Sequence, residues 1–133
     1  MKLNLSISEL SHIVGGEISE GNSNNFIHSI CTDTRHTVDV SHALFIPLKG
    51  DHFNGHTFVS SAYQKGIRTF LISEDVNLPS DCTILRVENT TEAFQKIAAN
   101  HRKQFNIPII GITGSNGKTI VKEWLHFLLS PDY

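Results

Sequence analysis

Ala43-Leu44-Phe45-Ile46 is an uninterrupted run of apolar side chains, and it predicts a buried β-strand that ends before Pro47. Similar short apolar segments predict four more strands, over residues 26–33, 69–72, 83–85 and 107–110. Helical patterns lie between these segments. Because strands alternate with helices, the sequence predicts an α/β architecture with a largely parallel or mixed sheet.

Apolar residues at helical spacing predict four helices. In chain order, the first begins after the capping residue Ser6, the second spans residues 57–65, the third begins after the capping residue Asn89, and the fourth spans residues 120–129. A glutamate three residues after each cap, Glu9 or Glu92, completes the pattern typical of a helix start. Gly15 and Gly66 lie where a C-terminal glycine is expected.

The faces of the last two helices can also be predicted. The inward stripe of the third helix is predicted to comprise Phe94, Ile97, Ala98, His101 and Phe105. On the fourth helix, the side chains predicted to face inward are Val121, Trp124, Leu125 and Leu128. We therefore expect His101 to be a core histidine whose hydrogen bonds are satisfied.

The composition excludes several classes of protein. With 133 residues, 39% of them hydrophobic, the chain suffices for one domain, or one domain and part of another, and it is too apolar to be disordered. Eleven basic and thirteen acidic residues give a net charge of −2. The chain therefore lacks the basic surface of a general nucleic-acid or anionic-membrane binder, and any anionic partner must be held by a local site.

The cysteines and the N-terminal segment favour a cytoplasmic protein. Cys31 and Cys82 lie far apart and outside any metal-binding or redox motif, so we expect buried free thiols. No signal peptide follows Met1, and no apolar run approaches the roughly 20 residues needed to cross a bilayer. We therefore expect a soluble cytoplasmic protein with no membrane segment.

Eight histidines raise the question of a metal site. His52 and His56 are four residues apart, but the proline and glycines around them predict a loop, and no third ligand follows at a metal-binding spacing. We therefore expect no transition-metal site.

The clearest chemical signal is Gly111-Ile112-Thr113-Gly114-Ser115-Asn116-Gly117-Lys118-Thr119, between a predicted strand and a predicted helix. This is the setting of a phosphate-binding loop, in which glycines let backbone N–H groups approach phosphate oxygens. Lys118 is predicted to reach the β- and γ-phosphates of ATP, and the Thr119 hydroxyl to coordinate Mg²⁺. The predicted ATP-binding residues are Gly114, Ser115, Asn116, Gly117, Lys118 and Thr119. The strict G-x-x-x-x-G-K-[ST] spacing would place glycine at position 112 instead of 111 and 114.

This loop resembles the ATP-binding loop of the Mur ligases, which add amino acids to the UDP-linked precursor of peptidoglycan. Three upstream segments resemble, in the same order, motifs of the family's UDP-sugar-binding domain: Thr32-Asp33-Thr34-Arg35, Leu44-Phe45-Ile46-Pro47-Leu48-Lys49-Gly50 and Phe53-Asn54-Gly55-His56-Thr57-Phe58. Pro47 and Asn54 stand where the family usually has Ala and Asp. Pro47 offers no N–H to a ligand, and Asn54 has no charge with which to act as a base.

The resemblance implies two units. The first is a small UDP-sugar-binding domain with a mixed sheet over residues 1–105, and the second is the first strand, phosphate loop and helix of a truncated central ATP-binding domain over residues 106–133. The implied UDP-sugar contacts are Asp33, Thr34, Arg35, Lys49, Gly50 and His56. From the residues alone, Asp33 and Arg35 could equally form a structural turn contact, and Lys49 and His56 could be solvated surface groups.

Within the family, the motifs are more similar to the type that adds D-alanyl-D-alanine to UDP-N-acetylmuramoyl-tripeptide than to the tripeptide-forming type. The implied reaction uses ATP and Mg²⁺ to convert the terminal carboxylate of the tripeptide to an acyl phosphate, which the amine of D-alanyl-D-alanine then attacks. The whole protein is thus expected to be an ATP-dependent ligase. Residues 1–133 alone are expected to be inactive, because no complete catalytic site can be identified in them.

Three alternatives remain open from the sequence. They are a tripeptide-forming ligase, a non-catalytic UDP-sugar-binding module with a vestigial loop and, least favoured, a relative of the folate-polyglutamate ligases. The apolar face of residues 109–129 is expected either to fold back on the chain or to self-associate.

Overall fold

The computed structural model describes residues 3–36, 40–50 and 52–130. Within these residues the strands are β1 (Leu5–Ser6), β2 (Glu17–Glu20), β3 (Phe26–Ile27), β4 (Ser29–Cys31), β5 (Ala43–Phe45), β6 (Lys49–Gly50), β7 (Phe53–Asn54), β8 (Thr69–Ile72) and β9 (Thr83–Arg86). The α-helices are α1 (Ile7–Val14), α2 (Val59–Gln64), α3 (Thr90–Arg102) and α4 (Lys118–Leu129). Short 3₁₀ helices span Thr34–His36 and Gly55–Phe58.

Five of the strands form the central sheet, in the order β2-β9-β8-β5-β4. Strands β4, β5, β8 and β9 run parallel, and β2 pairs antiparallel with β9 at one edge. The predicted α/β fold with a mixed, mostly parallel sheet is therefore confirmed. Strand β1 pairs with β3, and β6 pairs with β7, in two separate antiparallel ladders.

Alternate side chains of the central strands enter two different cores, because successive residues of a strand point to opposite faces of the sheet. Leu44 and Leu71 belong to the core that contains the buried residues of α1 and α3. Phe45 and Phe70 belong to the core that contains the buried residues of α2, where their rings pack edge to face with 6.1 Å between centroids. Both faces of the sheet are thus covered, which explains why its inner strands β5 and β8 are largely apolar.

The predicted helix caps are also confirmed. The Ser6 hydroxyl accepts a hydrogen bond from the Glu9 N–H (3.2 Å), and the Glu9 carboxylate accepts one from the Ser6 N–H (2.8 Å). Helix α1 stops at Gly15, whose φ of 71° is in the left-handed region that glycine adopts without strain. At α3, the Asn89 side chain accepts two hydrogen bonds from backbone N–H groups of the first turn.

Both cysteines are buried free thiols, as predicted. Burial raises the pKa of the Cys82 thiol to about 11. The Cys82 thiol is therefore protonated at neutral pH and packs as a small apolar group.

The prediction of a strand over residues 107–110 is wrong, because the structure has no strand there. Ile109 and Ile110 are 65% and 57% exposed. A strand forms only where a neighbouring strand pairs with its backbone, and none of the described strands pairs with this segment. Pro108 also lacks the N–H that such pairing uses.

Helix α4 begins at Lys118, two residues before the predicted start, and none of its residues is buried. Three of the four side chains predicted to face inward are instead exposed, Val121 by 43%, Trp124 by 69% and Leu128 by 67%. The fourth, Leu125, is half-buried. The apolar face of α4 is therefore not folded back on the described part of the chain, and self-association stays a prediction. None of the described helices is long and apolar enough to cross a membrane.

The predicted inward stripe of α3 is correct only in part. Ile97 is fully buried, but Ala98 is exposed. His101 is only half-buried and lies edge-on to Phe105, with 5.1 Å between ring centroids. The expectation of a core histidine is therefore wrong, because an apolar stripe along a helix does not indicate how far its packing partners extend.

Some of the observed strands lie outside the segments predicted as strands. Strand β2 occupies part of the polar stretch after α1, and the β6–β7 ladder occupies the loop after Pro47. Strand β2 is an edge strand whose side chains are exposed except for half-buried Ile18. Such a strand is held by backbone pairing, so it carries little of the apolar alternation by which strands are recognised.

We predict that Ile97→Ala lowers the free energy of unfolding by about 2–5 kcal/mol, because it removes a fully buried side chain and leaves a cavity. Ile120→Ala makes the same change on a helix where the side chain is 58% exposed, and it should change stability by less than about 0.5 kcal/mol. Urea unfolding followed by far-UV circular dichroism measures both. Equal losses in the two variants would contradict the packing described here.

Candidate functional site

Four chain segments that follow parallel strands meet at one edge of the sheet. Residues 32–35 follow β4, residues 48–50 follow β5, Glu74 follows β8, and Thr91 follows β9 at the start of α3. Because parallel strands place their carboxyl ends at the same edge, residues far apart in sequence converge there. This is the edge at which open α/β sheets bind their ligands.

A cavity of about 780 Å³ opens at this edge. Five of the six predicted UDP-sugar-binding residues line it, namely Asp33, Thr34, Arg35, Lys49 and Gly50. Its apolar wall comes from Phe45, Leu48, Phe53 and Phe58. The volume falls within the range of roughly 300–1,000 Å³ that is usual for small-molecule sites.

Arg35 and Asp33 form an ion pair at the rim of the cavity. The Arg35 Nη2 atom lies 2.6 Å from Asp33 Oδ2, and Nε lies 3.0 Å from both carboxylate oxygens. The turn contact that the sequence left open is therefore present. The Arg35 side chain is still 80% exposed, so a ligand in solution can reach it.

Lys49 is held by Glu74, with 2.7 Å between Nζ and Oε1. The Asn54 side chain donates a hydrogen bond to the other Glu74 oxygen at 3.0 Å. These two hydrogen bonds hold the pKa of Glu74 below its ordinary value, and the one from Lys49 has the larger effect. Asn54, which stands where the family usually has Asp, therefore serves here as a donor to a carboxylate.

His56 is not among the residues that line the cavity, and it is 93% buried, since only 7% of its surface is exposed. Its Nε2 atom accepts a hydrogen bond from the Ser73 N–H (3.1 Å), and its Nδ1 lies 2.9 Å from Asn54 Oδ1. Both ring nitrogens are thus engaged within the protein. The geometry makes His56 a support for Asn54 and, through it, for Glu74 and Lys49.

The protonation state of His56 follows from these contacts. Burial lowers the pKa of the imidazole, against the opposing effect of Glu74, whose carboxylate lies 3.9 Å from Nδ1. An Nε2 atom that accepts the Ser73 N–H must be unprotonated, so Nδ1 carries the proton that is donated to Asn54. The hydrogen bonds and the burial therefore both favour the neutral ring.

A close backbone approach joins the two residues that flank the β6–β7 ladder, Leu48 and Gly55. A Cβ on Gly55 would lie 2.6 Å from the Leu48 carbonyl oxygen, which accepts the Gly55 N–H at 2.9 Å. Only glycine fits at this position without a shift. Pro47, which has no N–H, contributes its carbonyl oxygen instead, and the Thr90 hydroxyl donates to it at 2.7 Å.

The cavity-lining residues that the sequence did not predict as site residues include an aromatic pair and a lysine. Phe53 and Phe58 are about half exposed, and their rings stack with 5.7 Å between centroids and 22° between planes. Lys65 donates a hydrogen bond to the Thr34 carbonyl oxygen at 2.5 Å. The only signal of the aromatic pair was two phenylalanines in the segment that resembles a family motif, and Lys65 carried no signal at all.

The predicted phosphate loop lies apart from this cavity, and none of its residues is among the cavity's lining. Gly114 and Gly117 have φ values of 145° and 78°, and α4 starts at the next residue, Lys118. The Lys118 ammonium donates hydrogen bonds to the carbonyl oxygens of Gly114 and Ser115. The described residues contain no cluster of three or more His, Cys, Asp or Glu side chains that could hold a metal ion.

Comparison with known proteins gives concordant similarities. A family model described as "Mur ligase family, catalytic domain" matches residues 26–113. The UDP-N-acetylmuramoyl-tripeptide–D-alanyl-D-alanine ligase of Bacillus subtilis is 40% identical over 108 residues, which cover 80% of this chain. The UDP-N-acetylmuramoyl-L-alanyl-D-glutamate–2,6-diaminopimelate ligase of Clostridioides difficile is 36% identical over 135 aligned positions, which cover 98% of this chain.

Among solved structures, MurF from Acinetobacter baumannii matches 98% of this chain with a TM-score of 0.85 and 28% identity. The chain spans 23% and 26% of the lengths of the two ligases above and 28% of the solved chain. The similarity therefore concerns about a quarter of each relative.

We predict that the His56 imidazole titrates below the ordinary histidine pKa of about 6.5. Since the unfolded chain then binds more protons than the folded one, folding stability should fall as pH drops from about 7 through the ordinary value towards the folded pKa, and level off below it. NMR titration of the ring protons measures the pKa directly. A midpoint at or above the ordinary value would contradict the neutral, N–H-accepting ring.

Proposed function

Since this chain belongs to the Mur ligase family, we propose that its cavity binds the UDP-N-acetylmuramoyl part of a peptidoglycan precursor. The observation that carries the proposal is the convergence of Asp33, Thr34, Arg35, Lys49 and Gly50 on one cavity of about 780 Å³. These residues come from two separate motifs, both of which resemble segments of the family's UDP-sugar-binding domain.

The lining of the cavity supplies groups for both the base and the phosphates of a uridine diphosphate. The stacked, half-exposed rings of Phe53 and Phe58 offer an apolar face against which a flat base can pack. Arg35 and Lys49 supply cationic donors of the kind that bind phosphate oxygens. His56 contributes by holding Asn54 and Glu74 in place, without contacting the ligand.

For the segment over residues 106–133, we propose the start of an ATP-binding domain. The residues fit an ATP phosphate group, because two glycines at positive φ lead directly into the N-terminus of α4, where free backbone N–H groups favour anions. Gly114, Ser115, Asn116 and Gly117 present that backbone. In this proposal, Lys118 exchanges its contacts with the loop carbonyls for phosphate oxygens, and the Thr119 hydroxyl coordinates Mg²⁺.

For the whole protein we propose ATP-dependent addition of D-alanyl-D-alanine to UDP-N-acetylmuramoyl-tripeptide. The terminal carboxylate of the tripeptide attacks the γ-phosphorus of ATP. An acyl phosphate forms and ADP leaves. The amine of D-alanyl-D-alanine then attacks the acyl carbon, so that an amide bond forms and inorganic phosphate leaves. The residues of the cavity act at a distance from this chemistry, by orienting the precursor through its nucleotide.

The second candidate is addition of 2,6-diaminopimelate, since the Clostridioides difficile relative with that name aligns with 98% of the chain. The identity to the D-alanyl-D-alanine ligase of Bacillus subtilis is higher, 40% against 36%, and the solved neighbour is MurF. These comparisons favour the dipeptide as acyl acceptor.

We predict that Lys49→Met weakens binding of UDP-N-acetylmuramic acid by at least about tenfold, because a charge-assisted hydrogen bond to phosphate is lost. Isothermal titration calorimetry of the purified protein measures this. Lys122→Met is the matched control, since Lys122 is also paired with a glutamate at 2.7 Å and is similarly exposed, 64% against 60%, but lies outside the cavity. Equal affinities in the two variants would contradict the proposed site.

We predict that Lys118→Ala in the whole protein reduces release of inorganic phosphate by at least about hundredfold, because the charge that stabilises the transferring phosphoryl group is lost. The assay supplies the UDP-linked tripeptide with D-alanyl-D-alanine, or the UDP-linked dipeptide with 2,6-diaminopimelate. Binding of UDP-N-acetylmuramic acid should be unchanged in this variant. Turnover only with 2,6-diaminopimelate would favour the second candidate, and full activity of Lys118→Ala would contradict the role of the loop.

A further inference from the structure

We propose that Lys65 is a diphosphate-binding residue of the cavity and makes it selective for nucleoside diphosphates over the corresponding nucleoside. This inference rests on the proposed function, since it names the group that meets the phosphates of the bound nucleotide. Neither the sequence motifs nor the family resemblance includes position 65.

The first argument is the balance of charge around the cavity. Three cationic side chains line it, and two of them are paired with carboxylates: Arg35 with Asp33, and Lys49 with Glu74. Among the described residues, the hydrogen-bond partner of Lys65 is a neutral group, the backbone carbonyl of Thr34. Among the described residues, Lys65 is therefore the cavity-lining cation whose charge no carboxylate offsets, and it is the one most able to attract an anion.

The second argument is the number of free donors. A lysine ammonium has three N–H donors and no acceptor, and the Thr34 carbonyl takes one of them at 2.5 Å. The other two remain available. Lys65 is exposed, so these two donors are hydrated in the free protein. They can exchange water for phosphate oxygens.

The third argument is position. Thr34 is 92% buried, since 8% of its surface is exposed, so its carbonyl is a fixed anchor for a flexible side chain. The anchored ammonium lies beside the turn that carries Arg35, and Ser61, one helical turn before Lys65, also lines the cavity. A cation, a guanidinium and a hydroxyl thus border one region of the wall, which suits the several oxygens of a diphosphate.

The test compares uridine, UMP and UDP as ligands for the purified protein, with affinities measured by calorimetry or by NMR titration. Lys65→Met should weaken UDP binding by about ten- to hundredfold, which is the effect of losing a hydrogen bond to a charged group. Uridine binding should be unchanged, and UMP should lie between the two. Lys65→Arg keeps the charge and should retain most of the preference for UDP over uridine.

Lys96→Met is the matched control for the structural contact of Lys65. The Lys96 ammonium also donates to a backbone carbonyl, that of Val14 at 3.0 Å, but it does not line the cavity. This variant should bind all three ligands like the wild type. Circular dichroism and urea unfolding establish that both methionine variants are folded.

The possible failures are distinguishable. If the wild type binds UDP and Lys65→Met binds it equally well, the role of Lys65 is wrong and the proposed function stands. If Lys65→Met weakens uridine and UDP by the same factor, Lys65 only supports the turn, and the inference is again wrong. If the wild type binds neither UDP nor UDP-N-acetylmuramic acid, the proposed function itself is wrong.

Discussion

The parallel pairing of β4, β5, β8 and β9 is the constraint on which the rest of the structure depends. Parallel strands must all end at the same edge of the sheet, so the four segments that follow them are brought together whatever their spacing in the sequence. The pairing is itself maintained by burial on both faces, because alternate residues of each strand enter the two cores. A stable scaffold thereby carries an exposed, polar rim.

At the rim of the cavity, a network of hydrogen bonds holds a few accessible side chains in place. Ser73 donates to His56, His56 contacts Asn54, and Asn54 donates to Glu74, which in turn holds Lys49 at the cavity. The neutral state of the buried imidazole is part of this arrangement, since a second proton would remove the acceptor for the Ser73 N–H. Among the described residues, the cavity therefore combines side chains that have side-chain partners with a cation, Lys65, whose hydrogen-bond partner is a carbonyl oxygen.

The segment after α3 shows that apolar side chains stay exposed where no packing partner covers them. Its isoleucines and the large apolar side chains of α4 are mostly exposed, because none of the described helices and strands buries them. Hydrophobic sequence predicts that a surface will be buried, but it does not supply the partner. The chain matches about a quarter of the length of its relatives.

The amino-acid sequence was enough to predict the α/β class, the central strands, the capped ends of α1 and α3 and five residues of the cavity. These features depend on local apolar runs, hydrogen-bonding caps and contiguous motifs. Other features of the fold and of the site depend on contacts between elements that are distant in sequence. Whether residues 107–110 form a strand depends on a neighbour, the edge strand β2 depends on backbone pairing, and the burial of His56 and the approach of Lys65 to Thr34 depend on elements that are distant in sequence. Such contacts are fixed by packing between elements, and no local pattern of side chains encodes them.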